Sequence, residues 1–123
     1  MLLMEGRAQT VLIVDDEPQI LRLLETMLKP RKFEILLAHR PSEALRICER
    51  QPIHLLISDV RMPEMDGIKL AERVLRLHPE ASVLLISGHY REAPPAAKQI
   101  RFLPKPFFPS ELIRHVQELL PEA

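Results

Sequence analysis

The sequence predicts a single α/β domain in which helices cover both faces of a parallel sheet. Short apolar runs alternate with amphipathic stretches along the whole chain. The runs have almost no polar face, which is typical of strands buried on both sides in a parallel sheet. A length of 123 residues allows one hydrophobic core and leaves no room for a second domain. These three features together favour a doubly wound α/β architecture.

Five apolar runs are the predicted strands. The first, Thr10 to Asp15, contains four consecutive aliphatic residues and therefore has no side suited to water. The other predicted strands are Phe33 to Ala38, Ile53 to Ser58, Ser82 to Ile86 and Ile100 to Leu103.

Four stretches with apolar residues at helical spacing are the predicted helices. Three of them begin at proline, whose missing N–H costs nothing in the first turn of a helix. The predicted helices start at Pro18, at Pro41, after Asp66-Gly67 and at Pro109; they end at Lys29-Pro30, before Pro52, at His78-Pro79 and near Leu120.

The segment between Ser87 and Ile100 departs from this alternation. Its tandem prolines, Pro94 and Pro95, forbid a long continuous helix, so at most a short helical turn is expected there.

The composition limits the classes of function. Lys plus Arg and Asp plus Glu both number 17, so no excess of positive charge points to nucleic acid or an anionic membrane. Cys48 is the single cysteine and is expected to be a small buried hydrophobe. No apolar run approaches membrane-spanning length, and no signal peptide is recognised at Met1 to Met4. A cytoplasmic protein with no nucleic-acid or membrane partner is expected.

Acidic residues follow two of the predicted strands. Asp15 and Asp16 end the first run, and Asp59 ends the third. The carboxyl ends of parallel strands share one edge of a sheet, so these carboxylates should meet there, together with Ser87 and Lys105. Clustered carboxylates suit Mg²⁺. With a cation and a hydroxyl beside them, they are the components of phosphoryl transfer to an aspartate.

Four motifs, in this order, make the chain resemble the receiver domain of two-component response regulators. They are Val14-Asp15-Asp16-Glu17-Pro18, then Ser58 to Gly67, then Ile86-Ser87-Gly88, and Phe102-Leu103-Pro104-Lys105-Pro106-Phe107. The resemblance runs from Thr10 to Leu120 and implies a flavodoxin-like five-stranded sheet in the order 2-1-3-4-5. Residues 10–121 would form this domain, and residues 1–9 an N-terminal extension.

The resemblance also implies a metal-binding and phosphoacceptor set. Asp59 would be phosphorylated, and Asp16, Asp59 and the Arg61 backbone carbonyl would bind Mg²⁺ or Mn²⁺. Asp15 would assist through water. The donor would be a phosphohistidine of a sensor histidine kinase or a phosphotransfer protein. Such a domain catalyses only its own phosphorylation and dephosphorylation and is not an enzyme with a separate substrate.

Further roles follow from the same resemblance. Ser87 and Lys105 would contact the phosphoryl group, with Lys105-Pro106 as a cis peptide. Ser87 and Phe102 would act as the switch toward an unidentified downstream protein. Arg61 and His89 would tune the lifetime of the acyl phosphate.

The chain departs from the family before the fifth strand. The family's fourth helix is expected to be short or missing, because the interval to Lys105 is short and contains Pro94 and Pro95. An apolar patch left uncovered near Val83 to Ile86 would then favour a homodimer.

Two alternatives remain at this point. The first is a receiver-like interaction module that is not phosphorylated. The second is a flavodoxin-like cofactor carrier, which would need a phosphate-binding loop where this chain has Asp15-Asp16-Glu17.

Overall fold

The computed structural model describes residues 9–88 and 99–120, which contain five strands and four helices. The elements in chain order are β1 (Gln9–Val14), α1 (Pro18–Leu28), β2 (Phe33–Ala38), α2 (Pro41–Arg50), β3 (Leu55–Asp59), α3 (Gly67–Leu77), β4 (Ser82–Ser87), β5 (Ile100–Pro104) and α4 (Pro109–Leu119).

The strands form one parallel sheet in the order β2-β1-β3-β4-β5, which confirms the predicted topology. In the register of the central strands, Asp59 lies beside Ile86, and Ser87 lies beside Pro104. The ends of β3, β4 and β5 are therefore level, which places the residues that follow them at one edge of the sheet.

Each face of the sheet has its own hydrophobic core, because side chains alternate along a strand. Val11 and Ile13 of β1 face α1 and α4, where Leu21 and Leu112 are buried against them. The other face packs against α2 and α3, through residues that include Leu12, Val14, Ala44, Cys48, Leu70 and Val74.

The predicted element bounds agree with the structure to within two residues. The largest difference is in β3, which begins at Leu55 rather than Ile53. Ile53 is buried all the same, so its apolar side chain indicated burial rather than membership of the sheet. His54, just before the strand, is still tied to the sheet edge through backbone bonds to Thr10 and Ser82.

The expectation of an uncovered apolar patch near Val83 to Ile86 is wrong. Each of these four residues is at most 3% exposed. Alternate residues of β4 point into the two cores, and β3 and β5 flank the strand on either side. The reason given for a homodimer is thereby removed.

The predicted shortening of the family's fourth helix lies outside the described residues, since it falls within residues 89–98. The helix labelled α4 here is the last helix of the chain.

Two predictions made from the composition, on Cys48 and on membrane-spanning segments, can be compared with the structure. The Cys48 side chain is 2% exposed, and burial raises the pKa of its thiol to about 11, in line with a core role. Among the helices of residues 9–88 and 99–120, none combines the length and the hydropathy needed to cross a bilayer.

Candidate functional site

Asp59 and Lys105 meet at the carboxyl edge of the sheet. The Lys105 Nζ atom lies 3.4 Å from Asp59 Oδ2, and the two side chains are 35% and 14% exposed. Lys105 is fixed by its backbone, since its N–H donates to the Ser87 carbonyl at 2.8 Å. The peptide between Lys105 and Pro106 is cis, as expected. A partly buried ammonium is thus aimed at a carboxylate at the end of β3.

Asp15 is the buried acid of this edge, with 2% of the residue exposed. One carboxylate oxygen accepts a hydrogen bond from the Glu17 N–H at 2.9 Å. The pKa of Asp15 is raised from 3.8 to about 6, chiefly by burial; the charges of Asp59 and Asp16 act in the same direction, whereas the Glu17 N–H and Lys105 oppose the shift. The buried Asp15 carboxylate is therefore under the influence of the charges of Asp59, Asp16 and Lys105 at this edge of the sheet.

Asp16 occupies the solvent side of the same edge and is exposed. It lines a cavity of about 490 Å³ that also touches the start of α2 and the loop between β3 and α3. The other lining residues are His39, Arg40, Pro41, Pro63 and Glu64. Asp16 is therefore accessible from water, whereas Asp15 is not.

Ser87 is the last residue of β4 and is 1% exposed. The structure brings it to the same edge as Asp59, one position further along its strand. Its carbonyl, through the bond to the Lys105 N–H, links the ends of β4 and β5.

The loop from β3 to α3 is closed tightly at its base. The Gly67 N–H donates to the Val60 carbonyl at 2.7 Å, and the Val60 N–H donates to the Ile86 carbonyl at 3.0 Å. A Cβ atom at position 67 would lie 2.2 Å from the Asp59 carbonyl oxygen, so only glycine fits there. The sequence pattern indicated a turn at Asp66-Gly67 but gave no sign of this close approach.

Of the remaining predicted residues, two lie in the described part of the chain. Arg61 is exposed in the loop after β3. Phe102 is half-buried and packs against the core on the α2 and α3 side. His89 lies outside the described residues.

The side chains at this edge of the sheet include oxygen donors of the kind that a divalent cation binds. No three His, Cys, Asp or Glu side chains within residues 9–88 and 99–120 form a metal site by themselves. The predicted set differs from such a cluster, because it combines the Asp16 and Asp59 carboxylates with one backbone carbonyl. Mg²⁺ commonly uses one or two carboxylates and keeps several waters. The negative charges of Asp15, Asp16 and Asp59 outnumber the positive charge that Lys105 brings to this edge, so the described residues suit such a cation.

A parallel sheet of order 2-1-3-4-5 that gathers carboxylates and a lysine at its carboxyl edge defines a flavodoxin-like receiver fold. The family model of the response regulator receiver domain matches residues 11–117. The chain belongs to this family of two-component signalling domains. Membership argues against the alternative of a flavodoxin-like cofactor carrier.

Individual relatives agree with this assignment. The chain is 31% identical over 124 residues to the transcriptional regulatory protein GlrR of Escherichia coli, covering 98% of this chain and 28% of that protein. It is 35% identical over 117 residues to the sensor kinase CckA of Brucella abortus, covering 90% of this chain and 12% of that protein. The chain thus spans only a minor part of both relatives.

Solved structures give the same result. The response regulator protein TrrA from Thermotoga maritima, crystallised in complex with Mg²⁺-BeF, superposes with a TM-score of 0.81 at 28% identity. The match covers 91% of this chain and 99% of that one.

Proposed function

We propose that this receiver domain accepts a phosphoryl group on Asp59 and thereby changes a protein-interaction surface. The observation that carries the proposal is the 3.4 Å pair between Lys105 Nζ and Asp59 Oδ2 beside the buried Asp15. An ammonium held against one carboxylate oxygen is placed to stabilise negative charge that arrives on that carboxylate.

A divalent cation would complete the site. Asp16, Asp59 and the Arg61 backbone carbonyl would hold Mg²⁺ or Mn²⁺, with Asp15 contributing through water. When bound, the ion would offset the charge of the carboxylates and of the incoming phosphoryl oxygens. The Mg²⁺-BeF complex of TrrA supports this assignment.

The transfer itself would be an in-line displacement. An Asp59 carboxylate oxygen forms a bond to phosphorus as the phosphorus–nitrogen bond of a phosphohistidine breaks, and the imidazole leaves with the electron pair of that bond. Lys105 would contact a phosphoryl oxygen, and the Ser87 hydroxyl would donate to another. The donor would be a sensor histidine kinase or a phosphotransfer protein.

The response would spread from Ser87 and Phe102. Movement of the Ser87 side chain toward the phosphoryl group would let Phe102 turn inward from its half-buried position. The surface next to β5 would then present a different shape to a downstream protein. Arg61 and His89 would set how long the acyl phosphate lasts by controlling the approach of water.

The cellular setting is proposed on the same basis. A receiver that meets a kinase in the cytoplasm needs no membrane or nucleic-acid contact of its own, in keeping with equal numbers of acidic and basic residues. Residues 10–121 would be the receiver domain, preceded by an extension at residues 1–9. The activity of any longer protein that carries this domain would lie in its other parts.

Intact-mass spectrometry distinguishes this function from an interaction module that is not phosphorylated. The protein is incubated with acetyl phosphate and Mg²⁺, the reaction is quenched rapidly with acid, and the intact mass of the protein is measured. We expect one phosphate adduct in the wild type and none in Asp59→Asn. Asp66→Asn is the matched control: asparagine replaces Asp66 as the cap that accepts the Lys69 N–H, so its adduct should persist. An unmodified wild-type mass would refute phosphoacceptance.

A further inference from the structure

The loop from β3 to α3 makes a tight turn at Glu64. The Met65 N–H donates to the Pro63 carbonyl at 2.8 Å across a three-residue turn. Glu64, at its centre, has a φ of 75°, in the left-handed region that disfavours L side chains other than Asn and Asp. Glycine would adopt this backbone without strain, so the side chain present here needs a compensating contact.

The Glu64 carboxylate makes that contact with the start of α2. One oxygen accepts from the Ser42 N–H at 3.2 Å, and the other accepts from the Ser42 hydroxyl at 3.4 Å. The N-cap residue of α2, Arg40, offers no side-chain cap, and Pro41 has no N–H to donate. Glu64 therefore caps α2 from a different loop, and its negative charge is favourable at a helix N-terminus. This pair of hydrogen bonds is called the Ser42–Glu64 clasp below.

The clasp holds the tip of the β3–α3 loop, whose base is already fixed by backbone contacts. At the base, Gly67 donates to the Val60 carbonyl and abuts the Asp59 carbonyl. Arg61, whose carbonyl belongs to the proposed metal set, lies between this base and Glu64. A loop held at base and tip leaves the carbonyl between them few alternative positions.

The clasp also borders the open side of the site. Pro63 and Glu64 of the β3–α3 loop and Arg40 and Pro41 at the start of α2 line the 490 Å³ cavity, together with Asp16. The Ser42–Glu64 clasp thus joins two of the segments that line this cavity beside Asp16, the start of α2 and the β3–α3 loop.

From this geometry we infer that Glu64 is a positioning residue of the proposed metal site. Through the Ser42–Glu64 clasp it holds the β3–α3 loop, and with it the Arg61 carbonyl, in the arrangement that binds a divalent cation. The inference rests on the proposed function, because it assumes that this edge of the sheet takes Mg²⁺.

Glu64→Gly separates this role from simple stabilisation of the fold. Glycine removes the clasp and also relieves the left-handed backbone, so urea unfolding without metal should show stability equal to or above that of the wild type. Mg²⁺ affinity, measured by isothermal titration calorimetry, should fall about 3- to 10-fold, as expected for the loss of one or two hydrogen bonds. A merely structural residue would not move the two quantities in opposite directions.

Two further variants sharpen the test. Glu64→Gln keeps an oxygen that accepts from Ser42 and should retain part of the affinity. Glu80→Gln is the control, because it removes the same charge from an exposed residue just after α3, at the opposite edge of the sheet; its affinity should equal that of the wild type.

The possible outcomes are distinct. Wild-type affinity in Glu64→Gly, or an equal loss in Glu80→Gln, would overturn the positioning role while leaving the proposed function intact. Absence of Mg²⁺ binding in the wild type would instead overturn the proposed metal site and this inference with it. Ser42→Ala should have no further effect in the Glu64→Gly background, since both residues act through one contact.

Discussion

Replacing Asp15 with asparagine separates two effects of the Asp15 carboxylate. One is the free-energy cost of its buried charge, and the other is its hydrogen bond with the Glu17 N–H. Asparagine retains an oxygen that accepts the hydrogen bond from the Glu17 N–H, and it removes the buried charge. If burial raises the pKa of Asp15 as the structure indicates, its charged form weakens the metal-free fold, and the variant should be the more stable protein at neutral pH.

The expected difference in the free energy of unfolding follows from how far the pKa of Asp15 is raised. The folded-state pKa of Asp15 is about 6, against an ordinary value of 3.8. The folded state therefore binds the proton more tightly than the unfolded state does, and wild-type stability falls as the pH rises from about 3.8 to about 6. A shift of roughly two units, at about 1.4 kcal/mol per unit, corresponds to about 3 kcal/mol above pH 6. Asparagine also loses hydration on burial, so this value is an upper bound.

Urea unfolding followed by far-ultraviolet circular dichroism measures the difference. At pH 8 in EDTA we expect Asp15→Asn to exceed the wild type by up to about 3 kcal/mol, and the gap should close toward pH 4. Added Mg²⁺ should stabilise the wild type more than the variant, because the ion offsets the charge that asparagine has already removed.

A variant less stable than the wild type at pH 8 in EDTA would refute the reasoning. So would a stability gap that does not change with pH. Asp66→Asn serves as the control, because Asp66 is exposed and its replacement should give no comparable pH-dependent gain.

Four further substitutions test other parts of the structure. Gly67→Ala should destabilise the fold by about 1–3 kcal/mol in urea unfolding, since the new methyl overlaps the Asp59 carbonyl. Gly88→Ala, with no described atom within 4 Å of its Cβ, should leave stability nearly unchanged, and equal effects at the two glycines would contradict the close approach. Lys105→Met should slow formation of the phosphate adduct by about 100-fold or more without unfolding the domain; an unchanged rate would exclude Lys105 from the reaction. Leu112→Ala should lower the free energy of unfolding by about 2–5 kcal/mol, because Leu112 is fully buried on the inner face of α4, and a smaller loss would mean that the core refills the space.

The fold could be predicted from the sequence because parallel strands buried on both faces leave unbroken apolar runs. The convergence of Asp59 and Lys105 followed from the same geometry, since both residues come at or just after the carboxyl ends of strands. The close approach of Gly67 to Asp59 could not be predicted, because it depends on how far α3 is drawn against β3. The Ser42–Glu64 clasp joins residues 22 positions apart in sequence, and only tertiary packing brings them together.

The position of β5 at the end of the sheet determines how a change at Lys105 spreads through the domain. Among the described strands, β5 pairs with β4 and no other, so a displacement of β5 along its own direction would strain one ladder of backbone hydrogen bonds. Its neighbouring residues Phe102 and Leu103 enter opposite cores. A displacement of Lys105 would therefore act on both layers of helices through β5, and as a terminal strand β5 can shift while disturbing its contacts with one neighbouring strand.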